Sequence, residues 1–252
     1  MSDLPEPIPA ATLVLMRETG SGAPELLVME RTGHMAFAAG ALVFPGGRID
    51  AEDGEAAERL GAGLPDAAAR IAAIRETIEE TGIAPALRPE PDAAVTAALR
   101  AAIAGERPFP ALLDAHDLAL DLDSLTPFAR WCPNFRETRR FDTLFFLAEA
   151  PAGAPEPSVS EHEAVRIFWA SAAKILEELE ADRAHAIFPT RRNLERLARF
   201  GSIAEARADA ALHKVTKIVP WVEERGGRPH VCIPEGIGYP VTAEPLETAR
   251  RR

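Results

Sequence analysis

Residues 66–82 read "DAAARIAAIRETIEETG", and this stretch limits what the rest of the chain can be. Asp66 suits a helix start and Gly82 a helix stop. A short polar side chain caps free N–H groups, and glycine takes up the left-handed turn that ends a helix. A helix is therefore predicted from about Asp66 to Thr81. At about 100° per residue, Ile71, Ile74 and Ile78 form one stripe and Glu76, Glu79 and Glu80 the opposite one. Three like charges within one turn repel by roughly 0.2–0.5 kcal/mol per pair. On the glutamate side, one turn earlier, stand Ala69, Ala72 and Ala73, whose small side chains are expected to leave room for an approaching group. Arg75 precedes Glu79 at ion-pair spacing.

Two readings of the acidic stripe follow. One is a solvated helix face. The other is a site for a hard cation: three oxygen donors within a turn suit Mg²⁺ or Mn²⁺, and the ion turns repulsion into attraction. A carboxylate di-iron centre is excluded, because it needs Glu-x-x-His on its helices. No histidine follows Glu76, Glu79 or Glu80 at that spacing.

Thr12–Glu18 and Glu25–Arg31 read as strands joined by the turn "TGSGAP". "ALVFPGGRID" is a short apolar strand followed by Pro45-Gly46-Gly47, a turn that lets the backbone approach a ligand closely. Residues 91–125 look mostly helical, with a break at "GERPFP". Strands are expected at 140–149 and 164–170, helices at about 171–181 and 191–212, and a terminal hairpin from "KVTKIVPWV" and "PHVCIP". Strands and helices mix without regular alternation, which favours an α+β or mixed-sheet sandwich over a doubly wound parallel fold.

A chain of 252 residues that is 47% hydrophobic can bury one large core. Its net charge of −11 disfavours nucleic-acid polymers and anionic membranes, but permits a small anionic substrate with a cation between the two. Cys132 and Cys232 are too few for a disulfide framework or a four-cysteine zinc site. The N-terminal residues show neither a signal peptide nor a membrane span, so a reducing cytoplasm is expected.

"GGRID…RETIEETGI" resembles the box of the Nudix hydrolase family, G-x5-E-x7-R-E-U-x-E-E-x-G-U, where U is bulky and apolar. Gly47 matches the opening glycine, and Arg75, Glu76, Glu79, Glu80, Gly82 and Ile83 the second half. Gly47 and Arg75 are 28 positions apart where the box has 14, so about 14 residues are inserted. Asp53 stands at the box's distance from Gly47 for the middle glutamate, while Ala67 stands at its distance before Arg75. In the family that glutamate supports the box, so its loss need not abolish the chemistry. Thr77 fills an apolar position, where its methyl group can pack.

The resemblance implies an α/β/α sandwich with a mixed sheet, and Mg²⁺- or Mn²⁺-dependent hydrolysis of a diphosphate linked to a nucleoside or similar group. Carried over by position, Glu79 and Glu80 are metal ligands and Glu76 is a metal ligand or the base that deprotonates water. Arg75 orients a box glutamate and the Gly47 carbonyl reaches a metal. One Nudix domain over residues 1–252 is expected, with a helical insertion at about 84–130. A homodimer fits the resemblance, although no exposed apolar stripe points to one.

The long insertion and "WCPNFRETRRFDTLFFLAEA" look like the Nudix branch of peroxisomal coenzyme A diphosphatases related to human Nudix member nineteen. That makes coenzyme A or an acyl-coenzyme A the leading substrate. ADP-ribose, a dinucleotide, or binding without catalysis are the alternatives. The branch's coenzyme A signature is partly met: Gly40 precedes Phe44-Pro45-Gly46-Gly47 correctly, but Ala36 replaces an arginine. Arg136, Arg139 and Arg140 are candidates for substrate phosphates, against local pairing with Glu137 or Asp142. Among Glu161, His162 and Glu163, Glu163 is the candidate for a further functional carboxylate, against a solvated loop. Trp131, Trp169 and Phe135 stack on a base or belong to the core.

Overall fold

The computed structural model of the protein describes residues 5–20, 22–33, 38–61, 63–133, 140–159 and 164–251. The chain runs β1 (Ile8–Arg17), β2 (Glu25–Arg31), β3 (Leu42–Val43), β4 (Gly46–Arg48), α1 (Ala51–Leu60) and α2 (Ala67–Thr81). It continues with β5 (Leu87–Arg88), α3 (Ala93–Ala104), α4 (Phe109–Ala115), β6 (Ala119–Leu120), β7 (Thr126–Trp131), β8 (Phe141–Glu149) and β9 (Ala164–Ser171). Then come α5 (Ala172–Glu180), α6 (Phe188–Leu197), α7 (Ile203–Leu212), β10 (Lys217–Ile218), β11 (Trp221–Arg225), β12 (Arg228–Cys232), β13 (Ala243–Pro245) and α8 (Leu246–Arg251).

Eight strands form one sheet in the order β10-β7-β8-β1-β2-β3, with β4 against β1 and β9 against β2. β1 runs parallel to β8 and β10 parallel to β7, whereas the remaining pairs are antiparallel. Both faces are buried, and the two-residue period of a strand sorts the side chains. Ala11, Leu13 and Leu15 of β1, with Leu144 and Phe146 of β8, meet Ile71, Ile74 and Ile78 of α2. Val14 and Met16, with Phe145 and Leu147, meet Ile175 of α5, Leu194 and Leu197 of α6 and Ile203 of α7. The result is an α/β/α sandwich, in agreement with the expected class.

α2 ends as expected: Gly82 is left-handed at φ 71° and its N–H donates to the Ile78 carbonyl. Asp66 precedes the helix but does not cap it. It too is left-handed, at φ 57°, and its side chain makes no capping bond, because a capping residue needs extended geometry to turn its oxygen onto the helix amides.

Other expectations need correction. The stretch 191–212 is two helices, α6 and α7, the second started by Ser202, whose hydroxyl accepts from Glu205 N–H. β11 and β12 do form the terminal hairpin, but Lys217–Ile218 leaves it to join the main sheet beside β7. β7 itself begins at Thr126, inside the range read as insertion, and follows the ribbon β5–β6. Its alternation is obscured by Pro127, whose missing N–H is accommodated at a register shift against β8.

Trp131 belongs to the core and not to a base-stacking surface. It is 1% exposed, and its Nε1 donates to the Tyr239 hydroxyl at 3.0 Å and to Asn193 Oδ1 at 3.3 Å. Tyr239 in turn donates to Asn193 Oδ1 at 2.7 Å. Burial pushes the Tyr239 phenol up to about 12. It is the sole tyrosine of the chain, so phenolate absorbance reports this one group. The unfolded phenol ionises near 10, so the contribution of Tyr239 to stability is complete below that pH. It is lost as pH rises through about 12. Spectrophotometric titration of the folded protein should place the midpoint near 12. A midpoint at the ordinary value of about 10 would contradict the buried triad.

Candidate active site

β4 brings a pair of glycines against the acidic stripe of α2. Gly46 and Gly47 pair antiparallel with Thr12 and Ala11 of β1. A Cβ at Gly46 would lie 2.4 Å from the Ala11 carbonyl oxygen, and one at Gly47 2.4 Å from Glu76 Cδ. Only glycine permits the approach at Gly46, where the neighbour is backbone and φ is +155°; at Gly47 the neighbour is the end of the Glu76 side chain. Gly46 N–H donates to Glu80 Oε2 at 2.8 Å, and Glu80 is 5% exposed. Glu76 Oε1 accepts from Arg75 Nη1 at 2.8 Å, and Glu79 Oε2 stands 3.8 Å from the same nitrogen. Glu80 and Glu76 thus lie along a glycine turn and an arginine, while Glu79 stays partly exposed at the edge of this arrangement.

Arg75 ties this arrangement to α1. Its Nε and Nη2 donate to Asp53 Oδ1 and Oδ2 at 3.1 and 2.9 Å, a bidentate fork. Nη2 also reaches the Arg48 carbonyl at 3.2 Å and Asp50 Oδ2 at 3.4 Å. Asp53 is 2% exposed, and its Oδ2 also accepts from Asp50 N–H. Burial works against the Arg75 charge, but the bonds and charges of Asp53 and Glu76 outweigh it and hold the guanidinium above its ordinary value. Asp53 therefore meets Arg75 although the inserted residues separate them in sequence. The start of α1 keeps the spacing from Gly47, and the rest of α1 with the connection to Ala67 makes up the added length.

The C-terminal end of α2 is closed by residues that no motif singled out. Arg100 of α3 donates Nε to the Glu79 carbonyl at 2.9 Å and Nη2 to the Glu80 carbonyl at 3.2 Å. Its Nη1 donates to Ser158 Oγ at 2.6 Å and its Nη2 to the Ser158 carbonyl at 2.8 Å. Ser158 N–H donates to the Thr81 carbonyl at 3.0 Å.

Several expectations fail here. Ala69, Ala72 and Ala73 leave no room beside the glutamates: they are 2%, 0% and 0% exposed and packed into the core that holds β1 and α2 together. Arg140 does not pair with Asp142. Its Nε donates to the Pro133 carbonyl at 3.2 Å, while Asp142 is held by Arg130 at 2.8 Å and Lys217 at 2.6 Å. Burial works against the Asp142 charge, but the bonds and charges of Arg130 and Lys217 outweigh it and keep the carboxyl low. Arg139 and Glu163 lie outside the described residues, as do Ala36, Phe135, Arg136, Glu137, Glu161 and His162. Trp169 is partly buried, with the Arg17 guanidinium 4.5 Å from its ring centre.

Among the described residues no group of three or more His, Cys, Asp or Glu side chains is arranged to hold a metal ion. Glu76 and Glu80 are bonded to protein donors rather than gathered about one point. Their chemistry nonetheless suits a hard divalent ion: Glu76, Glu79 and Glu80 offer only oxygen, and the space a Cβ would take at Gly47 borders Glu76.

Asp53→Ala removes the two oxygens of the bidentate fork, while Glu76, Asp50 and the Arg48 carbonyl still face the guanidinium. It should lower the unfolding free energy by about 1.5–3 kcal/mol, the worth of a hydrogen bond to a charged group. Urea unfolding measures this. A loss below about 1 kcal/mol, typical of an exposed pair, would show that Asp53 does not support the helix.

No family model matches the chain. Its structure is similar to the crystal structure of a NUDIX hydrolase from Alicyclobacillus acidocaldarius, with 30% identity and a TM-score of 0.72 over 82% of this chain and 97% of that one. The sequence is 27% identical over 255 residues to the acyl-coenzyme A diphosphatase NUDT19 of Gallus gallus, covering 78% of this chain and 68% of that protein. It is 28% identical over 236 residues to the Homo sapiens protein of the same name, covering 71% of this chain and 62% of that protein. The chain thus spans about two thirds of the length of these curated relatives. Its fold, its box residues and its likeness to a solved member together place the chain in the Nudix hydrolase family, in a branch that resembles NUDT19.

Proposed function

We propose that this Nudix hydrolase cleaves the diphosphate of a coenzyme A compound, using Mg²⁺ or Mn²⁺ held by Glu76, Glu79 and Glu80. The observation that carries this reading is the placement of Glu80 and Glu76 against Gly46 and Gly47, with Glu80 buried there. A stripe meant only for solvent would gain nothing from facing a glycine turn. Coenzyme A leads among substrates because the NUDT19 proteins similar to this chain are named acyl-coenzyme A diphosphatases.

Each residue has a task in this reading. Glu79 and Glu80 would hold the ion, with the Gly47 carbonyl as a further candidate ligand. Glu76 either joins them or takes the proton of the attacking water. Arg75 Nη1, 2.8 Å from Glu76 Oε1, fixes that carboxylate's direction. The ion, when bound, neutralises the diphosphate and lowers the pKa of a bound water. Water oxygen bonds to one phosphorus, the bridging P–O bond breaks, and the departing phosphate carries the electron pair. Arg139, Arg140 and Glu163 are assigned to the substrate.

Mass spectrometry of products formed in ¹⁸O-water tests the bond cleaved. Coenzyme A should give 3′,5′-ADP and a phosphopantetheine compound, with ¹⁸O in one product only. EDTA should abolish turnover, and Mn²⁺ or Mg²⁺ should restore it. Glu80→Gln keeps an acceptor for Gly46 N–H, so the fold should survive while kcat falls by orders of magnitude through loss of a metal ligand. Cleavage of ADP-ribose or a dinucleotide in place of coenzyme A would overturn the substrate. Tight nucleotide binding without metal-stimulated turnover, or a near-normal Glu80→Gln rate, would overturn the site.

A further inference from the structure

The last four carbonyls of an α-helix have no partner inside it, and at α2 the middle two of these belong to the proposed metal ligands. The Ile78 carbonyl accepts from Gly82 N–H at 2.9 Å and the Thr81 carbonyl from Ser158 N–H at 3.0 Å. The Glu79 and Glu80 carbonyls accept from one side chain, Arg100. That side chain comes from α3, outside the box, and it also grips both the hydroxyl and the carbonyl of Ser158. A helix end frays readily unless its carbonyls are satisfied, and a cation there also complements the helix dipole.

We infer that Arg100 is a positioning residue for the metal site: it fixes the backbone of Glu79 and Glu80, and through it the direction of their carboxylates. The guanidinium suits this task because its planar fork reaches two successive carbonyls and Ser158 together, which an ammonium cannot do. The inference rests on the assignment of Glu79 and Glu80 as metal ligands. It predicts a selective effect, because a second arginine makes a comparable tie at the other end of α2. Arg70 Nη1 donates to the Leu122 and Leu125 carbonyls at 2.7 and 2.5 Å. Loosening Arg70 disturbs packing without touching a glutamate.

Mn²⁺ uptake by the full chain, read from the loss of the free-ion EPR signal, tests this without reference to turnover. Arg100→Ala should weaken Mn²⁺ binding by about tenfold, the lower range for outer-shell partners. Arg100→Lys should fall between it and the unaltered protein. Arg70→Lys should leave Mn²⁺ binding unchanged even where it lowers Tm. If Arg100→Ala does not fold, the contrast between Arg100→Lys and Arg70→Lys decides. Glu79→Gln separates the two claims. If it weakens Mn²⁺ binding while the Arg100 variants do not, the inference is overturned and the metal site stands. Equal weakening by Arg70→Lys and Arg100→Lys also overturns the inference, as general loosening. If Glu79→Gln leaves Mn²⁺ binding unchanged, the metal assignment falls and the inference with it.

Discussion

The bidentate ion pair between Arg75 and Asp53 is the contact from which the rest of the site is set. Asp53 holds Arg75 where its Nη1 stands beside both Glu76 and Glu79 and offsets the repulsion between them across one helical turn. The magnitudes favour the arrangement. Each like-charge pair on a helix costs roughly 0.2–0.5 kcal/mol, whereas a hydrogen bond to a charged group is worth about 1.5–3 kcal/mol. Arg75 makes such bonds to Asp53 and Glu76 at once, with Asp53 fully enclosed. A helix can therefore carry the acidic cluster in the folded protein, provided α1 presents Asp53 to it.

The sheet supplies the remaining constraint. The isoleucines of α2 are held on the odd residues of β1, so the acidic stripe is turned toward β4. β4 is hydrogen-bonded to β1 as well, which fixes the glycine turn relative to the helix. Helix and turn thus share one strand as their reference, and the Gly46 N–H bond to Glu80 closes the loop between them. Arg100 and Ser158 complete it at the far end of α2, where the helix alone would leave carbonyls open.

Much of this was legible in the sequence. The isoleucine stripe, the terminating Gly82, the paired glycines and the four charged box residues follow from periodicity and spacing, which are local properties. The strands β1, β2, β8 and β9 were legible for the same reason, being apolar runs bounded by turn residues. What escaped depends on contacts between distant segments. Ala69, Ala72 and Ala73 look like open space in a list of residues, but the core fills it. Arg100 stands 20 positions from Glu80 and Ser158 a further 58 from Arg100, and nothing in their local sequence marks them. β7 was hidden by its proline, and α1 by Gly54, which lowers helix propensity, and by a face that buries only Asp53 and Ala56. The stand-in for the missing middle glutamate was visible as a distance from Gly47, but only the folded chain shows Asp53 reaching Arg75.

The central claim is that these carboxylates take up a divalent cation at the glycine turn. Anomalous scattering from crystals soaked in Mn²⁺ locates such an ion directly. The account predicts a peak bonded to at least two of Glu76, Glu79 and Glu80, with Glu80 turned away from the Gly46 N–H. A peak at another part of the molecule, with Glu76 still on Arg75 and Glu80 still on Gly46, would contradict it.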